Sequence, residues 1–150
     1  MEEHKSGIYE VTPQSDGMKV VHGEETIRRD YSDYLKDESN IEGENVQSLF
    51  FPRTINNIAW IMNEACGDRK KVTVSGGRTG ICAGAVPGAG GYLLSLEKMA
   101  RILGVEISSG EYSLKAECGI RLSELSSRVK SKDFGIESVV PPEILSLIHI

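Results

Sequence analysis

KKVTVSGGRTGICAGAVPGAGGYLLSL, from Lys70 to Leu96, decides the fold. Val72, Thr73 and Val74 form a β-branched run, which favours a strand. Seven of the sixteen glycines crowd the loop that follows, and Tyr92 to Leu96 reads as a second strand. Glycine collects where backbone takes positive φ or where something must approach it without a Cβ in the way. A strand–glycine loop–strand offers successive N–H groups to an anion, and phosphate is a common anion in such nests. The same composition also describes a flexible surface loop.

The spacing excludes the familiar phosphate loops. No glycine precedes a lysine, so there is no Walker loop. A GxGxxG fingerprint must open a helix, whereas Gly90-Gly91 runs into the strand pattern Tyr-Leu-Leu-Ser-Leu. No GxSxG elbow is present. What remains is a wrap of amides from Ser75 to Gly80 with a second set near Gly84 and Ala85. Each hydrogen bond to a charged group contributes roughly 1.5–3 kcal/mol, so several converging on one anion anchor it without a lysine.

Upstream, Val46 to Phe51 reads as a strand stopped by Pro52. Thr54 is an N-cap, and Ile55, Ile58, Ala59, Met62 and Ala65 recur at helical spacing until Gly67. Strand, helix and strand then predict a parallel pair. Residues 1–22 read as polar and loosely ordered, with a weak helical period from Glu24 to Lys36. Asn40 to Glu44 is a connector. Downstream, Ile102–Ile107 and Tyr112–Cys118 read as strands flanking a turn at Ser108 to Glu111. Leu122, Leu125 and Val129 mark an amphipathic helix to about Lys130. The fold class is α+β, a parallel βαβ unit followed by antiparallel strands and a helix.

A net charge of −5 argues against a nucleic-acid surface, which needs clustered Lys and Arg. The acidic leader is unlike a signal or transit peptide, and no apolar run reaches the ~20 residues of a transmembrane segment. The expected location is cytoplasmic. Cys66, Cys82 and Cys118 form neither a disulfide framework nor a CxxC pattern. The three histidines, His4, His22 and His149, are as scattered, so no metal site is expected.

Taken with its flanks, the loop resembles that of the FAD-linked oxidases of the vanillyl-alcohol oxidase and p-cresol methylhydroxylase type. It is most similar to the flavin subunit of glycolate oxidase and to D-lactate and other D-2-hydroxy acid dehydrogenases. The likeness starts at Tyr34-Leu35-Lys36-Asp37-Glu38-Ser39 and continues through Phe51-Pro52-Arg53-Thr54. It peaks over Ser75 to Pro87 and closes with Gly90-Gly91, Leu93–Met99 and Ala116-Glu117-Cys118-Gly119. About residues 30–143 are covered.

The resemblance implies an incomplete first subdomain of a PCMH-type FAD-binding domain. It implicates Gly76, Gly77, Arg78, Thr79, Gly80, Gly84 and Ala85 in holding FAD diphosphate. The family usually has a small residue where Arg78 stands, which leaves Arg78 as a diphosphate contact or a solvent-facing charge. Some relatives carry there a histidine bonded to flavin. Arginine forms no such bond, so FAD is expected to be non-covalent. Cys118 stands where many relatives have proline and is expected to pack in the core. Gly119 is expected to take positive φ.

The implied activity is oxidation of a small 2-hydroxy acid, such as glycolate or D-lactate, to the 2-oxo acid by hydride transfer to flavin. An Fe–S protein, an electron-transfer flavoprotein or a quinone would take the electrons. The catalytic base is expected outside this sequence, and Glu97, Glu106 and Glu117 read as solvated or structural carboxylates. Alternatives are a flavoenzyme like UDP-N-acetylenolpyruvoylglucosamine reductase, or a degenerate flavin fold kept for protein contacts. Residues 1–45 form a leader and 46–143 the FAD-binding part. The apolar tail 144–150 reads as a genuine strand or, by its likeness to translated sequencing adapter, as a non-native end. The expectation is an N-terminal fragment, inactive alone.

Overall fold

The computed structural model describes residues 7–10, 17–108 and 111–130. The tail 144–150, the Pro141-Pro142 segment, the Ser109-Gly110 turn and parts of the leader lie outside the described residues.

Among the described residues the strands and α-helices follow in the order β1 (Gly7–Glu10), β2 (Lys19–His22), α1 (Glu24–Asp30), β3 (Ser48–Phe51), α2 (Ile55–Gly67), β4 (Val72–Ser75), β5 (Tyr92–Ser95), β6 (Ile102–Ser108), β7 (Glu111–Ala116) and α3 (Leu122–Lys130). The first five strands make one sheet in the order β1-β2-β3-β5-β4. β1 with β2 and β2 with β3 are antiparallel, while β3 and β4 both run parallel to β5. β6 and β7 form a separate antiparallel pair with a bulge between Ile102 and Gly104.

Both faces of the inner strands β2, β3 and β5 are covered. Val20, Phe50, Tyr92 and Leu94 point to one face and pack with Met18, Ile61 and Ala65, the last two from α2. Val21, Leu49, Phe51 and Leu93 point to the other and pack with Ile27 of α1, Leu35 and Val46. Neighbouring strand residues therefore alternate between two cores, as the pleat dictates. Burial on both faces explains why β3 and β5 read as unbroken apolar runs.

Three expectations change. Lys19–His22 is an internal strand with Val20 and Val21 fully buried, although the leader reads as loosely ordered. β3 and β4 are parallel but not neighbours, because β5 lies between them. The wholly buried β5 takes the inner position and the half-exposed β4, with Val74 50% accessible, takes the edge. Finally, the buried face of α2 is Asn57, Ile61 and Ala65, whereas Ile55 is 77% exposed. The Thr54 cap sets this phase. Thr54 Oγ1 accepts from the Asn57 amide at 3.2 Å, and Asn57 Oδ1 accepts from the amides of Arg53 and Thr54 at 2.9 and 3.2 Å. This reciprocal box turns Asn57 inward.

Candidate functional site

The loop of residues 76–91 leaves β4 at the edge where β3, β5 and β4 all end, then returns to the start of β5. The carboxyl edge of parallel strands is where open α/β sheets bind ligands.

The two halves of this loop are held differently. The returning half is tied to the segment before β3. The Glu44 amide donates to the Pro87 carbonyl at 3.0 Å and Gly90 donates to Asn45 at 2.7 Å. The Ala89 amide donates to Glu44 Oε2 at 2.8 Å. In the outgoing half, the amides of residues 76–84 donate to no acceptor among the described residues.

The glycines there are not required by the fold. Gly76, Gly77, Gly80 and Gly84 have no positive φ. A Cβ at Gly76 or Gly84 would meet nothing within 4 Å, and at Gly77 or Gly80 only an ordinary contact at 3.8 Å. The left-handed positions fall instead on Arg78 (φ 57°) and Ala83 (φ 58°). Such backbone costs L-residues roughly 1–2 kcal/mol each. Local strain of this kind concentrates at ligand sites.

Arg78 does not point freely to solvent. Its guanidinium carbon lies 4.3 Å from the centre of the Tyr34 ring, a cation–π arrangement. Tyr34 in turn donates to Glu97 Oε2 at 2.7 Å, and Lys98 sits 3.1 Å from Glu97 Oε1. Burial and then the Glu97 hydrogen bond push the Tyr34 phenol up to about 12. Burial acts to raise Glu97, but the Tyr34 and Lys98 hydrogen bonds outweigh it and hold the carboxyl below its usual range.

Four buried side-chain atoms have no partner among the described residues: Asp37 Oδ2, Ser75 Oγ, Arg78 Nη1 and Ser95 Oγ. All surround this loop. Ser75 and Ser95 are register partners at the ends of β4 and β5. A Cβ on Gly80 would lie 3.8 Å from Asp37 Oδ2. Leaving a buried polar atom unsatisfied costs about 1–3 kcal/mol. The set comprises a cationic donor, two hydroxyls and an anionic acceptor, so it suits a ligand carrying both phosphates and hydroxyls. A flavin dinucleotide has both.

The structure thus brings Gly76, Gly77, Arg78, Thr79 and Gly80 into one run, with Gly84 and Ala85 beyond the Ala83 turn. The Ala85 amide is directed at the Asp37 carboxylate. The sequence reading missed Asp37, Tyr34 and Ser95 as site residues. The signal was the Tyr34–Ser39 stretch where the resemblance starts; in it Asp37-Glu38-Ser39 forms a side-chain-capped turn, with the Ser39 amide donating to Asp37 Oδ1 at 2.9 Å.

Two local expectations are corrected. Cys118 is exposed rather than packed in the core. Gly119 has no positive φ; a Cβ there would run into the Leu96 carbonyl. Glu117 is a structural carboxylate, since Arg101 Nη2 lies 2.7 Å away and holds it below the usual range.

A sequence-family description of an FAD binding domain matches residues 46–146. The D-lactate dehydrogenase of Anaerostipes hadrus is 33% identical over 95 residues, covering 63% of this chain and 20% of that protein. The solved structure of CrmK, a flavoenzyme involved in shunt product recycling in caerulomycin biosynthesis, superposes with a TM-score of 0.56 at 18% identity. That match covers 80% of this chain and 23% of CrmK, and it speaks for the fold alone. The chain therefore spans about a fifth of the length of the curated relative it matches.

Proposed function

The chain belongs to the FAD-binding domain family of the FAD-linked oxidases, and on that premise we propose that residues 76–84 hold the FAD diphosphate in an enzyme that oxidises a small 2-hydroxy acid. One observation carries the binding half of this reading: the amides of residues 76–84 find no acceptor among the described residues, while the returning strand of the same loop is fastened.

The amides of Gly76, Gly77, Arg78, Thr79, Gly80 and Gly84 would hold the diphosphate. The Arg78 guanidinium, steadied on Tyr34, adds a charge-assisted donor, and the Thr79 hydroxyl adds a neutral one. Ala85 follows Gly84 beyond the Ala83 turn, and its amide favours the charged form of the Asp37 carboxylate. Bound FAD supplies the hydride acceptor; the protein supplies binding, orientation and electrostatics. No catalytic residue is assigned to this chain. Arg78 cannot take a covalent bond to flavin, so at this position the cofactor is held without one.

The substrate class, glycolate or D-lactate and their like, rests on the D-lactate dehydrogenase relative and on the resemblance given above. An Fe–S protein, an electron-transfer flavoprotein or a quinone completes the cycle, and the protein works in the cytoplasm. No helix among the described residues is long and apolar enough to cross a membrane.

The test is anaerobic titration of the full-length protein. D-lactate or glycolate is expected to bleach the flavin absorbance, and acid is expected to release the chromophore. Bleaching by NADPH and not by hydroxy acids would replace the oxidase reading with a reductase. A colourless protein would leave only a non-catalytic fold.

A further inference from the structure

Asp37 is an acid in the wrong place for an anion site. Its residue is only 8% exposed, and Oδ2 has no partner among the described residues. That oxygen lies beside Gly80, inside the run of unsatisfied amides. Hydrogen bonds from Ser39, and then from the Ala85 amide, hold the carboxyl below its ordinary range, so it is ionised at neutral pH. Asp37 also lines a shallow cleft of about 270 Å³ with Ser32, Lys36, Asn40, Ile41 and Glu42.

A turn needs only one of the two carboxylate oxygens, and Oδ1 already serves the Ser39 amide at 2.9 Å. The second oxygen repels any phosphate placed on the amides. Its burial is stable only if it meets a donor. Under the reading above the amides of residues 76–84 and the Arg78 guanidinium serve the diphosphate, and no hydrogen bond among the described residues reaches Oδ2. A hydroxyl of the ligand is a donor of the right kind for that oxygen.

We propose that Asp37 Oδ2 accepts a hydrogen bond from a hydroxyl of the bound dinucleotide, on its ribityl chain or its ribose, and fixes where the sugar leaves the diphosphate cradle. This rests on the diphosphate reading and deepens it. The amides recognise phosphate; Asp37 recognises the hydroxylated carbon chain next to it. Asp37 thereby penalises a ligand that presents a second phosphate at that position.

The test uses the full-length apoprotein, Asp37→Asn, and two ligands. FAD affinity is expected to fall about tenfold to a hundredfold, the loss appropriate to one hydrogen bond with a charged acceptor. Competition by inorganic pyrophosphate, which has no sugar hydroxyl, is expected to stay the same or tighten, because a neighbouring negative charge is gone. The opposite signs separate recognition from damage. If both ligands weaken together, Asp37 only supports the loop and the inference is wrong. Unchanged FAD affinity also overturns it. Failure of pyrophosphate to compete with FAD for the unmodified protein would remove the diphosphate reading, and this inference with it. FAD analogues lacking single ribityl or ribose hydroxyls, bound to the unmodified protein, give an assay that needs no variant. One of them should lose affinity to the same extent, with no further loss in Asp37→Asn. If every analogue binds like FAD, the inference falls.

Discussion

Replacing Gly76 or Gly84 by alanine separates folding from ligand binding. Neither glycine uses positive φ, and a Cβ at either would meet nothing within 4 Å. Alanine there restricts the unfolded chain and should raise the stability of the apoprotein by about 0.4–1 kcal/mol. For a domain of this size that is an increase of about 1–4 °C in Tm. The same methyl stands where a diphosphate would come close to the amides. Losing one charge-assisted hydrogen bond weakens FAD roughly tenfold to a hundredfold. At FAD a hundredfold above the original Kd, bound cofactor adds about 2.7 kcal/mol; after a hundredfold weakening only about 0.4 kcal/mol remains. Paired thermal melts with and without FAD, plus a flavin-fluorescence titration of the full-length protein, measure both effects. Unchanged FAD affinity would refute the reasoning, and so would an apoprotein Tm that falls along with affinity.

Other positions test the fold itself. Gly119→Ala drives a Cβ against the Leu96 and Met99 carbonyls and should cost at least about 1–3 kcal/mol in denaturant unfolding; a loss below about 0.5 kcal/mol would contradict that packing. Thr54→Ala removes the acceptor for the Asn57 amide and should cost about 0.5–2 kcal/mol, read as an earlier urea midpoint. Tyr34 and Tyr92 are both pushed up to about 12, by burial first and then by hydrogen bonds to Glu97 and Asp68. Because the folded values lie above the unfolded one, their contribution is fully present below pH 10 and is lost as pH rises from about 10 to about 12. Tyr34→Phe should reduce that alkaline loss and remove one late-titrating group from the tyrosinate absorbance; an unchanged titration would contradict the Glu97 contact.

Elements built on local rules were legible. Thr54 announces the start of α2, and Gly67 its end. The β-branched run before Ser75 and the apolar run after Gly91 mark β4 and β5. Long-range choices were hidden. β2 escaped detection because a four-residue strand covered on both faces shows no polar–apolar alternation. The face of α2 was misjudged because Ile55, Ala59 and Met62 form a second, exposed apolar stripe, while the cap pulls a polar residue inward. That β5 separates β3 from β4 depends on which strand gains most from being inside, a comparison between distant segments. In the loop, the glycine run was legible as a place of close approach. That Arg78 and Ala83 carry the left-handed backbone was not, since both are unusual residues for it. The burial of Asp37 and Ser95 was not legible, because it is decided by elements far away in sequence.

The central claim is that the main-chain N–H groups of residues 76–84 clasp the diphosphate of FAD. Amide hydrogen exchange of the full-length protein, with and without FAD, tests it residue by residue. Fast exchange across 76–84 in the apoprotein and slow exchange once FAD is bound is the predicted result. Fast exchange in both states, with protection appearing in other parts of the protein, would contradict it.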